Sequence, residues 1–123
     1  MRLTTLAALA LLSPSALSQD PVISEFLASN DNGIVDFEGD SSDWIEIHNP
    51  GSSVIDLGGW HLTDDPAART KWTFPGTTFI APGGFLIVFA SSKDLTNPAD
   101  ELHTNFKLAS SGEFLGLYDP TAS

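Results

Sequence analysis

Asp43-Trp44-Ile45-Glu46-Ile47-His48-Asn49-Pro50-Gly51 alternates with a period of two. Ile45 and Ile47 fall on one face of an extended segment, while Trp44, Glu46 and His48 fall on the other. The stretch therefore reads as a strand with the two isoleucines in a core. Asn49-Pro50-Gly51 suits a type II turn, Pro fixing φ and Gly taking the positive φ.

Outward from this strand the pattern repeats. Short runs rich in β-branched and aromatic residues are separated by turn chemistry at the spacing of sandwiches and barrels. The predicted strands are Val22 to Ala28, Trp44 to His48, Val54 to Leu57, Trp60 to Thr63, Trp72 to Phe74, Thr77 to Ile80, Phe85 to Ala90, Phe106 to Leu108 and Phe114 to Tyr118. Gly58-Gly59 suits a tight hairpin, Pro75-Gly76 and Pro82-Gly83-Gly84 suit turns, and Ser110-Ser111-Gly112 suits a hairpin loop. Phe85-Leu86-Ile87-Val88-Phe89-Ala90 is apolar at every position, as expected of a central strand covered on both sides. Helical periodicity is missing after the N-terminus, so at most a single turn is expected, around Lys93 to Leu95. The fold class is all-β, one domain.

The N-terminus has the form of an export signal. Arg2 precedes an apolar stretch from Leu3 to Leu12, and Pro14 and Ala16-Leu17-Ser18 precede a cleavage point between Ser18 and Gln19. Residues 1–18 are thus assigned to a signal peptide and 19–123 to the folded domain. The apolar stretch is too short to span a bilayer, and no membrane insertion of the mature chain is expected. The expected location is secreted, periplasmic or at the cell surface. With no cysteine there is no disulfide, thiolate nucleophile, Cys-based zinc site or lipid-anchor cysteine. Removal of Arg2 leaves four basic residues against all sixteen acidic ones. Such a surface repels phosphate backbones, so nucleic acid is not an expected partner; cations, basic peptides and neutral glycans fit the charge better.

Five blocks in order carry a more specific signal. They are Val22-Ile23-Ser24-Glu25, Asp43 to Gly51, Leu57-Gly58-Gly59-Trp60-His61-Leu62-Thr63-Asp64, Trp72-Thr73-Phe74-Pro75, and Leu102-His103-Thr104-Asn105-Phe106-Lys107-Leu108. Together they resemble the lamin tail domain family, exported bacterial type. The resemblance implies an immunoglobulin-like β-sandwich, no catalytic residues, and an interaction or scaffold role toward a protein or cell-surface component. It also implies further domains in cis, for example a spore-coat-H-type kinase domain, with this chain as a non-catalytic N-terminal piece. Family members continue past Tyr118 and Asp119 into a further strand, so the final strand is expected to be missing.

Several constellations bear on chemistry. Asp31, Asp36, Glu38, Asp40 and Asp43 place oxygen ligands in one loop, as a Ca²⁺ site requires. The EF-hand frame fails: with Asp36 first, Gly39 falls fourth instead of sixth, and Ile47 takes the place of the closing Glu. A looser calcium or glycan-binding role stands behind the reading of a solvated loop, and no cofactor is assigned. Gly39-Asp40-Ser41 with Asp100-Glu101-Leu102-His103 mimics blocks of a Ser-His-Asp esterase, but no apolar strand leads into Ser41. His48, His61 and His103 lack metal-pair spacing. Trp44, Trp60 and Trp72 would form a sugar platform only by sharing a face. Glu25 and Glu46 are placed as cross-strand neighbours, resembling a glycosidase pair without a cleft.

Overall fold

The computed structural model describes residues 19–31, 33–112 and 114–123. Ser18 and the rest of the predicted signal lie outside the described residues; Gln19 lies within them. Nine strands and no helix occur among the described residues: β1 (Val22–Leu27), β2 (Asp43–His48), β3 (Ile55–Asp56), β4 (His61–Thr63), β5 (Trp72–Thr73), β6 (Phe79–Ile80), β7 (Phe85–Ala90), β8 (Leu102–His103) and β9 (Gly116–Tyr118). They form a four-stranded sheet in the order β1-β2-β7-β8, a three-stranded sheet β5-β4-β9 and a two-stranded ladder β3-β6. All pairs are antiparallel except β7 with β8.

Residues directly opposite across an antiparallel ladder share a face. Ile45 lies opposite Val88 and Ile47 opposite Leu86, which makes these four the inner face of the large sheet. Leu62, Trp72 and Leu117 form the inner face of the three-stranded sheet, and Phe74 and Ile80 fill in from the connecting segments. These side chains make one buried cluster, with Ile45, Ile47 and Leu62 fully inaccessible. The period of two thus places Ile45 and Ile47 in the core as expected. Phe85–Ala90 is an interior strand, also as expected, but it is covered on both sides only toward its C-terminal end: Phe85 is exposed and Phe89 buried.

The connections depart from the sequence expectations. Gly58-Gly59 makes a turn, with Trp60 N donating to Leu57 O at 2.9 Å and Gly59 at φ 87°. It carries the chain from one sheet to another instead of closing a hairpin, since β3 pairs with β6 and β4 with β5 and β9. Gly51 does not take a positive φ; the Asn49 side chain instead accepts a bond from Gly51 N at 3.0 Å, so the side chain shapes this turn. Pro82-Gly83 behaves as expected, with Gly83 at φ 71° and Gly84 N donating to Ala81 O. At Pro75-Gly76 the positive φ falls on Thr77 (62°), which removes Thr77 from the predicted strand. Asp56 holds that conformation by accepting from Thr78 N and Gly58 N.

Two further corrections bear on the candidate site. The predicted strand Phe106 to Leu108 is absent; only Lys107 makes a bridge, to Ser91, and the strand lies earlier, at Leu102–His103. The turn at Ala109 to Gly112 then leads to β9, which pairs with β4, so no hairpin forms there. The single helical turn at Lys93 to Leu95 is replaced by a tight bend with Ser92 at φ 65° and Asp94 at φ 52°, after which Leu95 bridges to His103.

Candidate functional site

The outer face of the four-stranded sheet gathers several of the residues singled out in the sequence: Glu25, Trp44, Glu46, His48 and His103. Leu27 lies opposite Trp44, and Trp44 opposite Phe89, which neighbours His103. Glu46 is flanked by Glu25 and Ile87, and His48 by Val22 and Phe85. The register of β1 slips at Ser24, so both Ser24 and Glu25 oppose Glu46. This bulge brings the Ser24 hydroxyl to Glu46, where it donates to Oε1 at 2.8 Å.

The acidic loop covers the β8 end of this face. His103 is fully buried, with its ring stacked on Phe89 at 5.1 Å and Phe37 edge-on at 6.1 Å. Its Nδ1 lies 2.7 Å from Ser91 Oγ and its Nε2 3.4 Å from Glu101 Oε1. Ser91 Oγ also accepts Lys93 N, and Glu101 Oε1 accepts Phe37 N at 2.8 Å. The row of hydroxyl, imidazole and carboxylate superficially matches a nucleophilic triad. Its bonds, however, tie the acidic loop and the bend after β7 to β8, and the imidazole has no open side for a substrate. Ser41, the serine suggested by the esterase pattern, is exposed and forms no bond with His103.

Asp36, Glu38 and Asp40 converge on the Lys93 ammonium, at 2.6, 2.7 and 2.9 Å. The three carboxylates thus share the chain's own cation. The other two residues of the proposed loop point elsewhere: Asp43 accepts from Ser29 N and Leu108 N, and Asp31 takes no part in the cluster. Among the described residues no group of three or more His, Cys, Asp or Glu is arranged as a metal site. The partner residue, Lys93, escaped sequence reading because it lies 57 positions from Asp36.

Asp36 is the anchor. Burial pushes its carboxyl up, but the Lys93 ammonium, the N–H groups of Asp40 and Glu38 and the Ser42 hydroxyl outweigh burial and lower it from 3.8 to about 2. The same carboxylates raise Lys93 above the ordinary lysine range, Asp36 contributing most. Because the folded value of Asp36 lies below the unfolded one, its contribution to stability is complete above pH 3.8 and is lost as pH falls through about 2. Asp36→Ala leaves Lys93 two carboxylates but strips two backbone donors and a hydroxyl of their acceptor, a loss of about 2 kcal/mol. Urea titration is expected to show this at pH 7, with wild type and Asp36→Ala converging as the pH approaches 2.

The remaining candidates do not assemble. His48 and His61 lie on different sheets, their Nδ1 atoms bonded to Gly84 O and Thr73 Oγ1. Trp72 is in the core and donates to Asp94, Trp60 packs against the core, and Trp44 lies on the outer face, so the three indoles share no platform. Glu25 and Glu46 are cross-strand neighbours, but they do not share a cleft: Glu25 lines an open cavity of about 290 Å³ with Ile23, Ser24, Phe26 and Leu115, and Glu46 does not. A cavity of about 480 Å³ lies beside the acidic loop, lined by Phe37, Leu95, Thr96, Asn97, Asp100 and Glu101.

Comparison with known proteins gives one positive result: the model of the Lamin Tail Domain family matches residues 14–123. No curated protein and no solved structure matches the chain.

Proposed function

The chain belongs to the lamin tail domain family, and on that premise we propose that it is a non-catalytic interaction module working outside the cytoplasm. The observation that carries this reading is the open half of the outer sheet face. There β7 continues its apolar run, yet Phe85 remains 58% exposed although the His48 ring stacks on it at 4.3 Å. Exposed apolar side chains gathered on one rigid face mark a surface that binds. The rigidly enclosed imidazole of His103 supports the non-catalytic part, because a general base must reach the proton that it removes. Export is supported by the N-terminal pattern of Arg2, the apolar run and Ala16-Leu17-Ser18.

Two measurements test it. In the native host, fractionation followed by mass analysis is expected to find the chain outside the cytoplasm and starting at Gln19; an unprocessed cytoplasmic chain overturns the export. A photo-crosslinking residue placed in turn at Val54, Phe79 and Phe85, all exposed, is expected to give a discrete adduct from at least one position. The absence of adducts at all three overturns the interaction role.

A further inference from the structure

The open half of the outer face has a charge that the chain does not answer. Glu25 and Glu46 are direct cross-strand partners, an arrangement of like charges that costs stability. Glu46 has only the Ser24 hydroxyl, and neither carboxylate forms an ion pair among the described residues. Three of the chain's cations are engaged elsewhere: Lys93 in the acidic loop, Lys71 with Asp64 and Arg69 over the Tyr118 ring, while Lys107 makes no ion pair with either glutamate. Around the two glutamates the face is apolar. Leu27 and the Phe85 ring, stacked on His48 at 4.3 Å, are exposed, and Ile87 is half-buried. Trp44, on the same face, has its indole Nε1 shut from solvent with no acceptor.

We propose that this face docks an extended, cationic segment of a partner protein, in which arginine or lysine alternates with apolar side chains and a cation sits against Glu25 and Glu46. The proposal rests on the interaction reading above and adds the partner's chemistry. A cation between the two carboxylates removes their repulsion and gains charge-assisted bonds. The flanking apolar residues of the segment cover Leu27, Ile87 and Phe85. A second copy of this chain is a poor occupant: pairing the face with itself would bring four glutamates together in two chains of net charge −11 each.

The test uses the full chain, a short peptide alternating arginine and valine, the same peptide with glutamate for arginine, and oligo-arginine. Nitrogen-15 NMR is expected to show the arginine–valine peptide shifting Leu27, Ile87, Phe85 and the Trp44 indole, and the glutamate peptide shifting nothing. The Glu25→Gln/Glu46→Gln double variant is expected to bind it at least about tenfold more weakly while melting at an equal or higher temperature, which shows that it folds. The proposal is overturned if no peptide binds, if the shifts map to other surfaces, if oligo-arginine binds equally well, or if the double variant binds unchanged. In those cases a crosslinked adduct from another exposed position would still leave the interaction role standing.

Discussion

Asn49→Leu is expected to destabilise the fold by about 4 kcal/mol, although it replaces a polar side chain with an apolar one of similar size in the interior. Asn49 is fully buried, and its amide nitrogen faces three backbone carbonyls: Ser53 O at 2.8 Å, Ile80 O at 3.0 Å and Ala81 O at 3.2 Å. Its oxygen accepts Gly51 N. The side chain thus closes the turn after β2 and ties it to the segment between β6 and β7. Leucine would leave these groups dry and unpaired, and the penalty of an unmet buried group exceeds the net value of a bond made. Equilibrium urea unfolding gives the number. Asn49→Asp tests the donors directly: it keeps the acceptor for Gly51 N but sets a carboxylate oxygen against the three carbonyls, and is expected to be at least as destabilising as Asn49→Leu. A loss under about 1 kcal/mol for Asn49→Leu would mean that water reaches those carbonyls.

Asn49 also shows which parts of the fold are legible in the sequence. Alternation in β2 and the unbroken apolar run of β7 are local, and both are enough to place Ile45, Ile47 and Val88 in the core. Turn residues are local too, yet they report a bend without saying what the flanking strands pair with. Gly58-Gly59 bends the chain as expected, but the strands on either side join different sheets, while Leu57 and Leu62 both enter one core. Leu102–His103 is too short for any periodicity and is a strand only because β7 offers its edge, while Phe106 to Leu108, more apolar, is drawn into the core as a loop through buried Phe106.

The site is less legible than the fold for the same reason. The acidic loop is conspicuous in the sequence, and its carboxylates suggested a bound cation. Three of those carboxylates, Asp36, Glu38 and Asp40, meet Lys93, brought in by a bend whose positive φ values at Ser92 and Asp94 fall on residues that give little warning of them. His103 was visible as part of a block, and its partner Ser91 was not, since nothing in Ala90-Ser91-Ser92 separates one serine from the next. Glu25 and Glu46 fall on consecutive predicted strands, which allows them to be neighbours, but the register slip at Ser24 that pairs them is not visible in the sequence. That the face around them is left uncovered is a property of the whole packing.

Phe74→Ala tests whether these sheets are one cooperative unit, and its expected cost is about 3–5 kcal/mol. Phe74 is the largest fully buried side chain and meets Trp72 edge-on at 4.9 Å. Its backbone braces the Gly58-Gly59 turn, donating to Trp60 O at 2.8 Å and accepting Gly59 N at 3.1 Å. Those bonds survive in the alanine variant, so the loss isolates ring burial and the cavity left behind. The ring lies in the β4–β5 region, remote in sequence from the outer face of β1, β2 and β7, yet the core cluster joins it to Ile45, Ile47 and Val88 on the reverse of that face. If the core is one unit, urea midpoints read from the Trp44 indole and from the Trp72 indole fall together. Phe79→Ala, at a residue 60% exposed on the neighbouring β6, serves as the control and is expected to change stability by under about 0.5 kcal/mol. Separate midpoints would mean that the four-stranded sheet holds its shape without the other layer, and that the docking face is supported by β2 and β7 alone.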